Sequence, residues 1–135
     1  MMTAGVPAMC EYTVEELLTM TVESLSYDVE ADTASAQGVG RIDPDSSMGI
    51  VFARRAAITD AQRGLLILRR ALREGRSPRP ESVSGNLPPF RVISEDVKEG
   101  LYFVKIETDL SKLMKGKDTR RVMSGILDDE EEDIP

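Results

Sequence analysis

Histidine and tryptophan are absent from this sequence of 135 residues, and cysteine occurs once, at Cys10. The missing histidines exclude every mechanism with a histidine general base, and a single cysteine excludes intramolecular disulfides and Cys/His zinc sites. Without a histidine to activate it, Cys10 is interpreted as a small apolar side chain rather than a nucleophile. We therefore expect a protein that is not an enzyme, with no catalytic residues, no cofactor and no metal.

Long apolar runs are also missing. The run from Leu65 to Leu68 is far short of the roughly 20 residues that cross a bilayer. The first ten residues lack the basic start and the apolar stretch of a secretory signal. We therefore expect a cytoplasmic protein with no membrane partner. Asparagine and glutamine are scarce beside arginine and glutamate, a composition that is typical of thermophiles.

Basic residues are missing from the first 40 positions, which carry seven acids. All 17 Lys and Arg lie between residues 41 and 127, against 11 acids, and residues 128–133 are six acids in a row. Such an asymmetry indicates a charged partner, which would be either a nucleic acid or an acidic protein surface. The alternative is that the three zones neutralise one another in the folded monomer.

Hydrophobic periodicity predicts one α+β domain over residues 1–127, with residues 1–11 flexible. Thr13 and Glu16 have the spacing of a capping box at the start of a helix. Alternation in 25–33, and β-prone runs in 37–42 and 48–55, predict three antiparallel strands, with a turn at 43–47. Residues 90–107 indicate a hairpin whose turn ends at Gly100, with 101–106 as a central strand.

The clearest predicted helix covers "ITDAQRGLLILRRALREG", residues 58–75. Thr59 and Gln62 have capping-box spacing, Gly75 suits the C-terminal end, and Gly64 lies in the apolar stripe, where it would allow close approach to a sheet. The opposite side of this helix, which we call the arginine face, carries Arg63, Arg69, Arg70, Arg73 and Arg76. A mobile loop at 77–89 and a helix beginning near Thr108 and interrupted near Gly116 complete the domain. The expected fold is an antiparallel sheet of about five strands packed against two or three helices.

The arginine face suggests a function, because the planar guanidinium binds phosphate oxygens bidentately and stacks on bases. A second basic cluster would extend this surface through Lys112, Lys115, Lys117, Arg120 and Arg121. Phe90 and Tyr102 are candidates for stacking on the bases of a single strand. The first hypothesis is therefore a small nucleic-acid-binding protein, with single-stranded DNA or RNA favoured. The second is an interaction module or adaptor whose basic helix docks on an acidic partner, on its own acidic N-terminal zone or on a dimer mate.

The acidic ending "LDDEEEDIP" resembles the tip of bacterial single-stranded-DNA-binding proteins, in which a run of acids precedes Ile-Pro-Phe. The resemblance covers residues 128–135, and the final Phe is absent here. It implies a disordered tail that recruits partners through Asp128, Asp129, Glu130, Glu131, Glu132, Asp133 and Ile134. A polyanion of this kind would also compete with nucleic acid for a basic surface of its own chain.

Other chemical motifs are weak in this sequence. "GVGR" and "KGK" fall short of a phosphate-binding loop or a dinucleotide fingerprint. Asp43 and Asp45, together with Asp32, have oxygens that suit a hard cation, but aspartates in turns more often accept backbone hydrogen bonds. We therefore predict turns at these positions rather than a metal site.

Overall fold

The computed structural model describes residues 12–118, which form three helices and one four-stranded antiparallel sheet. The elements in chain order are α1 (Val14–Glu23), β1 (Ser26–Asp28), β2 (Thr33–Arg41), α2 (Gly49–Glu74), β3 (Arg91–Lys98), β4 (Leu101–Asp109) and α3 (Leu110–Lys115). The strand order is β1-β2-β4-β3. The α+β class is confirmed, with four strands where about five were predicted. Cys10, Arg120, Arg121 and the acidic tail lie outside the described residues.

Helix α1 begins at the predicted capping box. The hydroxyl oxygen of Thr13 accepts the N–H of Glu16 at 3.0 Å, and the Glu16 carboxylate accepts the N–H of Thr13 at 2.7 Å. The helix ends at Ser24, whose side chain bonds both the N–H and the C=O of Gln37 in β2. These contacts seat the end of α1 against the edge of β2.

The strand predicted over 25–33 is largely a turn. Strand β1 has only three residues, and the chain reverses before β2 starts at Thr33. The carboxylate of Asp28 accepts the N–H groups of Glu30 and Ala31, and Asp32 takes a left-handed conformation with φ 55°. These local bonds stabilise a turn in place of the extended chain that the alternation suggested.

The strand predicted over 48–55 is wrong, because α2 already begins at Gly49 and runs for 26 residues. The β-prone residues Ile50, Val51 and Phe52 misled the prediction, whereas Ala53 and Ala57 continue the helical stripe of small residues upstream. The predicted capping box at Thr59 and Gln62 therefore lies in the helix interior. The predicted C-terminal end is confirmed, since Gly75 adopts φ 66° there and follows the last helical residue.

Close packing of α2 on the sheet depends on glycine in β2. A Cβ atom on Gly38 would overlap the carbonyl oxygen of Ala57, and one on Gly40 would overlap that of Ala53. The expected close approach at Gly64 is also present, because a Cβ there would lie 3.1 Å from the Ala36 side chain. Hydrogen atoms at these positions let α2 lie almost directly on the backbone of β2.

The predicted hairpin and central strand are confirmed. Strands β3 and β4 pair around the two residues Glu99 and Gly100, both with positive φ (57° and 78°), as in a type I′ turn. Strand β4 lies between β2 and β3 and points Val104 and Ile106 into the core. The core therefore lies between α2 and the β2–β4 pair, where Leu65 and Leu68 meet the sheet.

The last described segment also follows the prediction, since α3 ends where Gly116 begins an extended stretch. A residue far away in the sequence stabilises the start of α3. The Asp32 carboxylate accepts both the N–H (2.7 Å) and the hydroxyl (2.8 Å) of Ser111. The segment 77–89 has no regular structure apart from an isolated bridge between Gly85 and Asp118. Its predicted mobility stays a prediction.

Candidate functional site

Arg69, at the centre of the predicted arginine face, is buried and not exposed: its side chain has 0% relative accessibility. Its Nε and Nη2 donate to Oδ1 of Asp118 at 3.0 and 2.6 Å, and its Nη1 donates to the carbonyls of Asn86 (2.8 Å) and Leu113 (3.2 Å). A helical wheel predicts the direction of a side chain, but it does not show whether segments further along the chain pack over it. Arg69 therefore holds α2, the 77–89 segment and the end of α3 together, and phosphate cannot reach it in this structure.

Arg70 and Arg76 are bound by acids of the same region. Arg76 pairs with Glu74 at 2.6 Å and Glu81 at 2.7 Å, and Arg70 pairs with Glu74 at 3.1 Å. Hydrogen bonds from Arg76 and then Arg70 lower the pKa of Glu74 below its usual value, and the bond to Glu81 raises the pKa of Arg76. These guanidinium groups hold the chain that follows α2, and they already have carboxylate partners.

Arg73 and Arg63 are likewise occupied. Arg73 donates to the carbonyls of Met114 (2.7 Å) and Gly116, and lies 3.6 Å from the Asp118 carboxylate. Arg63 pairs with Asp60 in the same helix. The arginine face is thus neutralised by acids inside the fold, but these acids are Glu74, Glu81, Asp118 and Asp60 rather than the N-terminal acidic zone.

The other predicted nucleic-acid contacts within residues 12–118 are three lysines in or just after α3 and two aromatic residues. Lys112, Lys115 and Lys117 are all exposed; Lys112 lies 3.4 Å from Asp109, and the backbone N–H of Lys117 donates to Asn86. Phe90 and Tyr102 are partly buried and pack against the core, as structural aromatic residues do. Within residues 12–118, Lys115 and Lys117 lie beside Arg73, which bonds the carbonyls of Met114 and Gly116, whereas Phe90 and Tyr102 do not join this basic surface because they pack against the core.

A groove between α1 and the N-terminal half of α2 is the feature that sequence reasoning missed. It is an open hollow of about 660 Å³. We call it the α1–α2 groove, and it is lined by Val14, Leu17, Leu18, Val39, Gly40, Arg41, Phe52, Arg55, Ala56, Thr59, Asp60 and Arg63. Val14 and Phe52 are large apolar residues left 69% and 54% exposed at its walls. A signal was present in the sequence, because Val14, Leu17 and Leu18 give α1 several apolar side chains. The structure buries only Thr21 of this helix, which leaves those side chains for the groove.

The floor of the α1–α2 groove is built around Asp60. Its Oδ2 accepts the hydroxyl of buried Thr21 and, at 3.0 Å, the N–H of Val39, and its Oδ1 accepts the Arg63 guanidinium. One carboxylate therefore ties α1, β2 and α2 together and closes the edge of β2 beyond the end of β1. The groove floor is rigid, because the Asp60 carboxylate bonds residues of α1, β2 and α2, the three elements that line the groove.

The rim of the α1–α2 groove is basic. Arg41 donates to the backbone carbonyl of Tyr12 at 2.7 Å and has no carboxylate partner within residues 12–118. Arg55 is exposed and makes no hydrogen bond or ion pair in that part of the chain. Only Arg63 is balanced, by Asp60. The arrangement suits a ligand that combines apolar side chains with carboxylates, because the guanidinium groups offer bidentate sites beside an apolar wall.

Two other surface features are less suited to a ligand than the α1–α2 groove. A hollow of about 810 Å³ lies between β1 and the end of α2, but its only charged residue, Arg76, already has carboxylate partners. Strand β3 is an open sheet edge with all eight residues exposed. It carries four charged residues and a bulge between Val92 and Ser94, which are features that protect edges from pairing.

A polar network fastens β3 to α2. Arg54 donates to Glu95 at 2.7 Å, and the Tyr102 hydroxyl donates to the same carboxylate at 2.6 Å. These bonds, with Arg54 the larger cause, lower the pKa of Glu95, while the bond to Glu95 raises the pKa of Tyr102. Through Glu95 the three groups bond across β3, β4 and α2, so the network is structural.

No group of three or more Asp, Glu, His or Cys residues that could hold a metal ion comes together within residues 12–118. Asp43 accepts the N–H of Asp45 in a turn, and Asp32 caps α3. In the same part of the chain, no helix is long and apolar enough to cross a membrane. No protein-family model matches the sequence, and no curated protein matches it at a significant level.

Proposed function

We propose that this protein is a non-catalytic interaction module that binds an acidic, partly apolar segment of a partner protein in the α1–α2 groove. The observation that supports this best is Arg55, an exposed guanidinium without a partner in the described chain beside an apolar wall. Arg69 and Arg73 in the second half of α2, and Arg76 just after it, by contrast hold the fold together. The arginine of α2 that is left for a partner therefore lies toward the opposite end of the helix from the predicted arginine face.

Recognition in this groove would combine two physical effects. Apolar side chains of the partner would cover Val14 and Phe52, and burial of apolar surface gives about 25 cal/mol per Å². Carboxylates would bind Arg55 and Arg41 at the rim, where charge-assisted hydrogen bonds give orientation and selectivity. Grooves between helices commonly bind amphipathic segments in this way.

The test is fluorescence anisotropy with a labelled peptide that has two leucines beside a block of five or six acids. The chain shortened to residues 1–127 should bind it, and a peptide with lysines in place of the acids should not bind. Arg55→Glu should weaken binding at least about tenfold, which corresponds to about 1.4 kcal/mol. The matched control is Arg79→Glu, because Arg79 is also exposed and without a partner but lies outside the groove. Equal effects of the two variants would contradict the proposal.

Nucleic-acid binding is the second candidate, supported by a different part of the surface. Exposed Lys112 lies on α3, close in sequence to Lys115 and Lys117. Anisotropy with a labelled single strand and its duplex, at two salt concentrations, tests it. Binding should fall steeply with salt and tighten when residues 128–135 are removed, because the tail would compete with phosphates. Binding that is independent of salt, or absent at low salt, would rule out this candidate.

A further inference from the structure

The chain leaves the described structure on the same side of α2 as the open rim of the α1–α2 groove. Asp118 lies against α2 through its bonds to Arg69 and Arg73. Arg55 precedes Arg69 by fourteen residues, just under four helical turns, so both project from similar sides of α2 about 21 Å apart along its axis. Residues 119–135 therefore follow from the side of α2 that carries Arg55, about 21 Å along the helix from that residue.

The length of chain beyond Asp118 is sufficient to reach the groove. Residues 119–127 are nine residues, and an extended chain covers about 3.3 Å per residue, or roughly 30 Å. This exceeds the helical distance from Arg69 to Arg55. The acid block at residues 128–133 can therefore be placed at the rim without any change in the described fold.

The chemistry of this segment complements the groove. Six consecutive carboxylates are flanked by Ile126 and Leu127 on one side and by Ile134 on the other. The groove offers apolar walls, and two arginines, Arg41 and Arg55, that lack a carboxylate within residues 12–118. In the second half of α2, and at Arg76 just after it, the arginines already have acidic partners, so a polyanion gains less there than at this rim.

We propose that residues 126–134 dock in the α1–α2 groove of their own chain and that a partner segment binds by displacing them. This inference rests on the proposed function, because it assigns the same groove a resident occupant. A tethered segment competes at an effective concentration of the order of 1 mM. If its intrinsic dissociation constant is about 0.1 mM, it lowers the apparent affinity for a partner about tenfold.

The experiment compares backbone amide NMR spectra of the intact chain with those of a variant in which the six acids become Asn or Gln. The variant keeps chain length and removes only charge. Amide signals of Leu18, Phe52 and Arg55 should shift, while Lys105, on the outer face of the sheet, should not. The shifts should be the same at all protein concentrations, since docking is within one chain. Unchanged groove signals, or shifts that grow with concentration, would overturn the proposal.

A second measurement separates this proposal from the function on which it rests. The labelled acidic peptide is titrated into the intact chain and into the neutralised variant. Tighter binding by the variant, by about tenfold, supports displacement of the tail. If both forms bind equally well and groove signals do not move, the groove binds partners but the tail does not occupy it. If neither form binds the peptide and the groove signals still move on neutralisation, the tail docks and the proposed function fails.

Discussion

Replacement of Arg69 by methionine tests whether this residue is structural. Methionine fills a similar length with an apolar chain but cannot donate a hydrogen bond. It would leave the Asp118 carboxylate without its closest cation and the carbonyls of Asn86 and Leu113 without the donor that reaches them now. Three segments, α2, residues 77–89 and the end of α3, would lose their common contact.

The magnitude follows from the burial of this side chain. Arg69 is completely buried and its partner Asp118 is 24% exposed, so bulk water screens the pair weakly. Removing one member of a buried ion pair costs about 3–5 kcal/mol. At roughly 3–5 °C per kcal/mol for a domain of this size, the melting temperature should fall by about 9–25 °C. Arg69→Lys should also destabilise, because a single ammonium cannot point at Asp118 and two carbonyls at once.

The assay is thermal unfolding followed by circular dichroism, together with urea unfolding at a fixed temperature. Arg79→Met is the control, because Arg79 is exposed and has no partner in the described chain, and it should change stability by less than about 0.5 kcal/mol. If Arg69→Met unfolds within about 1 kcal/mol of the parent, the buried network is not what holds these segments. A stable variant that lost only oligonucleotide binding would restore Arg69 to the predicted nucleic-acid surface.

The remaining predictions concern packing, the groove floor and pH. Gly38→Ala should lower the free energy of unfolding in urea by about 3 kcal/mol or more, because the new Cβ would overlap a backbone carbonyl of α2. Gly75→Ala has open space around the new Cβ and should lower it by only about 1 kcal/mol, because of the positive φ. Asp60→Ala should cost about 3 kcal/mol in the same assay, because it leaves the buried Thr21 hydroxyl and a strand N–H unpaired. The folded pKa of Glu95 lies below its usual 4.5, so its stabilising effect is present above pH 4.5 and is lost as the pH falls through the folded pKa. Melting temperatures between pH 3 and 6 should therefore fall less for Glu95→Gln than for the parent protein.

The parts of the fold that could be predicted are those with local signals. The capping box at Thr13 and the two-residue turn at Glu99 and Gly100 mark their elements through side chains a few residues apart. The start of α2 could not be found in this way. Its first turn has no side-chain cap, and Ile50 to Phe52 have high β propensity, so packing of Ala53 and Ala57 on β2 decides the helix.

The candidate site was harder to predict because it depends on packing between distant segments. The groove joins Val14 and Leu17 to Phe52 and Arg55, and their relative position is set by Asp60 and by the glycines of β2. Sequence periodicity predicts one side of the helix for Arg63, Arg69, Arg70 and Arg73. It could not show that residues 77–89 and 116–118 fold over that side and bind those arginines.

The two ends of α2 therefore use arginine for different purposes. Toward the C-terminal end, Arg69 is buried in a network with Asp118, and its charge stabilises the fold while being hidden from any partner. Toward the N-terminal end, Arg55 keeps its donors unused within the described chain and faces an apolar groove. A cation that is paired inside the fold gives a ligand little, because the ligand must first break the existing pair. A cation without such a pair is more available for binding, so the proposed partner is better sought at the α1–α2 groove than from the number of arginines in α2.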